Sequence, residues 1–204
     1  MPPRTEAPDP PLENLPRHDI EHLRSLMQQT PVSLTGNLAG IVLVALIYHA
    51  LSPPALLGGW IVASLLGWTV RLLHYLRYRR KPDIDVATLL RWRRSWRVLV
   101  ALHALLWGLA AWLFWGAGTP FHDIALIFIV YSYCIVSVHM LSSQPHDFVV
   151  FISLVLLPMI ARIASDGTHP WHWQLAGMLT IIFGITLLMG RSYSSALGQS
   201  IALR

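Results

Sequence analysis

Charged residues punctuate this chain at long intervals, and what lies between them is apolar. Ser25 to Val70 holds no Asp, Glu, Lys or Arg, and neither do Val98 to His122, Ile124 to His146 and Gly167 to Gly190. A helix needs roughly 20 apolar residues to cross about 30 Å of hydrocarbon. With the shorter Phe148 to Ala161, these stretches predict six spans: Val32 to Ala50, Ala55 to Tyr75, Val98 to Trp115, Ile124 to Leu141, Phe148 to Ile163 and Leu175 to Gly190. Leu51-Ser-Pro-Pro54 makes a hairpin of the first two. Gly116-Ala-Gly-Thr-Pro120 joins the third to the fourth, and Ser142 to Asp147 the fourth to the fifth. The expected fold is all-α, a polytopic membrane bundle of six transmembrane helices occupying residues 31–190.

The flanks follow other patterns. Residues 1–16 carry six prolines and are expected to be a disordered terminus. No apolar run follows a basic start there, so no signal peptide is expected. Over residues 17–30, Ile20, Leu23, Leu26 and Met27 recur at three- and four-residue steps, the mark of a short amphipathic helix lying in the interface. Pro31 is expected to break that helix before the first span.

Composition agrees with the pattern. The chain is 54% hydrophobic and 12% charged, with a mean hydropathy of +0.52, where a soluble domain carries about a quarter charged residues. A single cysteine, Cys134, excludes a disulfide scaffold. Fifteen Lys and Arg against ten Asp and Glu give +5, but nine of the fifteen lie between Arg71 and Arg97, where topology-setting charge belongs. No nucleic-acid partner is expected. With the N-terminus inside, the cytoplasmic side collects every basic residue except Arg162, so both termini are expected to be cytoplasmic.

Soluble-enzyme motifs are missing: no phosphate-binding Gly-rich loop, no His-Glu-x-x-His, no Cys-x-x-Cys. Every Asp and Glu falls at a span end or outside, so no buried carboxylate is expected, which argues against an ion-coupled transporter. His103 and His139 are expected at similar depth, with His74 nearby. Imidazoles so placed either bind haem or metal, take a quinone or lipid headgroup, or simply hydrogen-bond within the protein. Asn37 lies between Gly36 and Gly40, a spacing that permits close helix approach within the monomer or at a dimer face. Ala63 and Gly67 form a weaker version. Trp107 opens a Trp-Gly-Leu-Ala run. Tyr131, Tyr133, Cys134, Ser137 and His139 make the fourth helix unusually polar; they should point inward, either lining a sensing cavity or bonding between helices. Pro158 is expected to kink the fifth helix. No metal site and no cofactor are expected.

Past Gly190, Tyr193, Leu197 and Ile201 fall at four-residue steps, the start of a coiled-coil seam. Residues 191–204 are read as the beginning of a cytoplasmic signalling helix. The pattern halts at Arg204 without a cap, so a further module is expected to follow.

The run Arg91-Trp92-Arg93-Arg94 followed by Leu106-Trp107-Gly108-Leu109-Ala110, together with Thr30-Pro31-Val32-Ser33-Leu34, Leu156-Leu157-Pro158 and the exit Gly198-Gln-Ser-Ile-Ala-Leu-Arg204, resembles the N-terminal membrane input domain of bacterial sensor histidine kinases and diguanylate cyclases. The resemblance implies a non-catalytic sensor in the bacterial inner membrane. It also implies a homodimer passing its signal to an output module in cis, in the manner of a two-component system. A small integral-membrane redox (haem or quinone) or transport protein using His103 and His139 is the other reading the residues leave open.

Overall fold

In the computed structural model, residues 17–79, 86–141, 144–168 and 170–202 are described, with the side chains of 17–29, 86, 87, 89, 139, 140 and 193–202 outside that description. The Pro-rich segment 1–16 lies outside the described residues. Six helices follow one another: α1 Arg17–Tyr48, α2 Pro54–Arg79, α3 Val86–Phe114, α4 Pro120–Leu141, α5 Pro145–Ala164 and α6 His172–Ala202. Among the described residues there is no strand. Each helix contains a stretch long and apolar enough to cross a membrane. This is the build of a multi-pass membrane protein.

The sorting of side chains shows how the sequence makes a bundle. Along α3, Trp92, Trp96, Val100, Ala104, Trp107, Ala111 and Phe114 are buried, while Val98, Leu102, Leu105 and Leu109 are exposed. Both sets recur at three- and four-residue steps, so one stripe faces the protein and the other is left for lipid. Aromatic rings fill the centre. Trp107 meets Trp60 edge-on at 5.5 Å and Tyr133 at 5.2 Å, and Tyr133 meets Phe151 at 5.4 Å.

Paired contacts fix the directions. The indole of Trp60 donates to Leu106 O and that of Trp68 to Leu34 O, which runs α2 antiparallel to both α3 and α1. Arg93 donates to Gln144 and Arg97 to Asp147, while further along Gly108 lies against Leu154 O, so α3 and α5 run parallel. At that same start of α5, Phe148 packs on Gly190 of α6. One end of the bundle therefore gathers Arg93, Arg97, Asp147 and Gly190. The opposite end holds Tyr48, Phe114, Asp123 and Asp166, with Trp171 and Trp173 exposed beyond it.

Three expectations need correction. Pro31 does not break the first helix, since α1 runs unbroken from Arg17 to Tyr48. A proline removes one hydrogen bond, but it does not force a turn where the helix on both sides is otherwise supported. The third helix starts at Val86, ahead of the span expected from Val98, so Arg91 to Arg97 are helical. Interleaved Trp92 and Trp96 supply an inward stripe that carries the helix through the arginines. Buried carboxylates do exist. Asp123 accepts from Gly116 N at 2.9 Å, and Asp166 accepts from Trp115 Nε1 at 2.7 Å and from Thr168 N and Oγ1. Those donors replace water, which is what a buried carboxylate requires.

Candidate ligand-binding site

The inward face of α2 reads Trp60, Ser64, Gly67, Arg71, His74, at steps of four and three. An arginine therefore falls on the buried stripe, and Arg71 is only 4% exposed. Its Nη2 donates to Ser33 Oγ on α1 at 3.2 Å; its Nη1 has no hydrogen-bond partner among the described residues. Among the described residues no carboxylate pairs with it. From α3, Trp92 and Trp96 stack at 6.0 Å, and Trp92 lies parallel to His74 at 5.9 Å. The indole nitrogens of both tryptophans are buried and unpartnered. These side chains, with Thr30, Tyr75 and Leu99, enclose one small pocket between α1, α2 and α3.

A second polar layer lies further in. Asn37 stands one turn past Ser33 and is fully buried, with neither amide atom hydrogen-bonded. Ser64 Oγ and His103 Nε2 are likewise buried without partners among the described residues. The His103 ring lies directly on the bare backbone of Gly67, where an added Cβ would come within 3.0 Å of Nδ1. Arg71 stands one turn after Gly67 on the same stripe of α2. A polar seam thus runs between α1, α2 and α3.

The residues singled out from sequence divide between this seam and elsewhere. Asn37 and His103 belong to it. Trp107 packs against Gly40, whose Cβ position falls 2.7 Å from the indole, so this half of the Gly36–Gly40 motif serves packing within one chain; Gly36 meets nothing within 4 Å. Tyr133, Cys134 and Ser137 point inward as expected. Ser137 bonds Tyr133 O at 2.8 Å, and Tyr131 reaches Thr186 of α6 at 3.4 Å. Tyr133 also borders a groove of about 310 Å³ between α1 and α4, with Gly36, Gly40 and Val136. The side chains of His139, Tyr193, Leu197 and Ile201 lie outside the described residues.

Counted from the Trp107–Tyr133 ring contact, His103 lies four residues and His139 six towards the arginine-rich end, about 3 Å apart in depth at 1.5 Å per residue. Among the described residues no group of three or more His, Cys, Asp or Glu is placed to hold a metal.

Sequence reading missed Arg71, Ser33, Ser64, Trp92 and Trp96 as a group. The signal was present in the α2 stripe, where Arg71 stands seven residues after Ser64 and eleven after Trp60. Comparison with protein-family models, curated proteins and solved structures gives no match for this chain.

Proposed function

We propose that this chain is a membrane-embedded sensory input domain, not itself catalytic, that passes a signal through α6 to a cytoplasmic output module in cis. On this reading it sits in a bacterial inner membrane as a homodimer with both termini inside. The output would be of the histidine-kinase or diguanylate-cyclase kind.

The observation that carries the reading is the length of α6. Its charge-free apolar run ends at Gly190, with Arg191 behind it, yet the helix continues to Ala202. That is about 18 Å of rod beyond the run at 1.5 Å per residue. Tyr193 and Leu197 stand one heptad after Thr186 and Gly190, two positions buried against the bundle. The apolar register of the span is thereby continued out of it. A two-state bundle that shifts α6 against α5 would present that seam in a different phase, and a ligand favouring one state by about 1–3 kcal/mol gives a typical coupling.

The test is a fusion to an output enzyme. One residue inserted after Ser194 turns everything beyond by about 100°, while seven nearly restore the phase. Output is expected to change with one and recover with seven. Equal effects would reduce α6 to a tether. Leu197→Cys, with Cys134→Ala, is expected to cross-link between protomers in native membranes.

A further inference from the structure

Pocket by pocket, the strongest unexplained chemistry in the molecule is an excess of donors. Arg71 Nη1, Trp92 Nε1 and Trp96 Nε1 are buried around one pocket beside an equally unpartnered His74 Nε2, and none of the three has an acceptor among the described residues. Guanidinium and indole N–H groups can only donate. Leaving such groups unpaired is costly, and more so for a charged one. No hydrophobic residue of the bundle relieves that cost. An oxyanion would accept from all three at once.

Depth narrows the class of anion. Arg71 stands 17 residues from Pro54, the start of α2, or about 25 Å along the helix. With about 30 Å of hydrocarbon to cross, it lies roughly one turn inside the apolar boundary at the arginine-rich end. That is within reach of headgroup phosphates and of solutes entering from that side. We propose that the Arg71 pocket binds a phosphate group, held by Arg71 Nη1 and the Trp92 and Trp96 indoles, and that this is the signal the domain reads.

The pocket as packed has no room for a water-sized group. Entry of phosphate must therefore part Trp92 and Trp96 from α2. Binding and rearrangement are one event, which is what a two-state sensor needs. The inference deepens the sensor reading and rests on it for the signalling role alone. Phosphate binding can be measured without any output enzyme.

The experiment follows thermal unfolding of the purified chain in a zwitterionic detergent. The probes are inorganic phosphate in one arm and phosphatidylglycerol in the other, with phosphatidylcholine as control. Wild type is expected to be stabilised in at least one arm. Stabilisation by phosphatidylglycerol alone assigns the group to a lipid, and by inorganic phosphate to a soluble anion. Arg71→Gln is expected to weaken the response at least about tenfold, as loss of a charge-assisted contact does. Trp96→Phe keeps the packing and loses one donor. It is expected to weaken the response severalfold while the protein without probe still melts cooperatively, which covers the case of a misfolded Arg71 variant. No stabilisation of wild type in either arm, or a response undiminished in both variants, overturns the proposal. If output nevertheless depends on the phase of α6, the ligand is wrong and the sensor reading stands.

Discussion

Gly108→Ala is the substitution for which the structure sets the sharpest expectation. Gly108 of α3 lies against Leu154 O of α5, and an added Cβ would fall well inside van der Waals contact distance of that oxygen and 3.1 Å from Pro158 Cγ. Leu154 is four residues before Pro158, so its carbonyl is the one that proline cannot satisfy. Because the obstacle is backbone, no rotamer change relieves it. The helices must move apart by about 1 Å, and a gap of that size forfeits a quarter to a half of each dispersion contact. Around it lie Phe151, Ile152, Val155, Leu156 and Met159, all buried. Overpacking of this kind costs about 1–3 kcal/mol, here the upper end. The better helix propensity of alanine returns about 1 kcal/mol, which leaves a net loss of about 2 kcal/mol. For a chain of this size that corresponds to a melting point lower by about 4–8 °C. The control is Gly177→Ala in α6, where nothing lies within 4 Å of the added Cβ, so only the propensity gain applies. Both are read by tryptophan fluorescence during heating in mild detergent. If Gly108→Ala melts at or above Gly177→Ala, the α3–α5 approach described here is wrong.

Two further outcomes are expected. Trp115→Phe removes a buried donor from Asp166, a bond of 2.7 Å, and should cost about 1.5–3 kcal/mol. Asp166→Asn keeps an acceptor and should cost less, so the reverse order on melting would contradict the assigned bond. For orientation, Gly167→Cys should react with a membrane-impermeant thiol reagent on intact cells and Ser195→Cys only after permeabilisation, each with Cys134→Ala. The opposite labelling would reverse the topology.

Much of the architecture is legible from charge spacing alone, because hydrocarbon tolerates so few kinds of side chain. Five charge-free stretches, the first of them holding two spans, became six helices, and the polar positions of the fourth span turned inward at Tyr133, Cys134 and Ser137. Helix limits were less legible, for a reason specific to the arginine-rich segment. Arg91, Arg93, Arg94 and Arg97 dominate its hydropathy, yet the two tryptophans between them decide its structure. The same weighting hid Arg71. Counted with its neighbours as topology-setting charge, it looks like a residue for the interface. Placed on the four–three stripe of α2, it is a core residue. Charge counting and helical periodicity give conflicting answers for that position, and only packing against Ser33, Trp92 and Trp96 decides between them.

The position of that conflict suits the proposed role. Trp96 of the pocket precedes Arg97, which pairs with Asp147 at 2.6 Å. Asp147 precedes Phe148, which packs on Gly190 where α6 leaves its apolar span. Two contacts and two pairs of chain neighbours thus join the pocket to the exit helix, all at one end of the bundle. A row of contacts becomes a relay only if some element in it has two states that both ends bias. On the proposed reading the closed pocket supplies that element. Its three orphaned donors weigh against the packed arrangement, and dense packing of the tryptophans weighs for it. An anion removes the first penalty only by parting α3 from α2. Because α3 runs parallel to α5 and is tied to it at Arg97 and at Gly108, movement of α3 is handed to α5 in the same direction. The ring of Phe148, set hard against a residue without a side chain, then leaves α6 no freedom to stay behind.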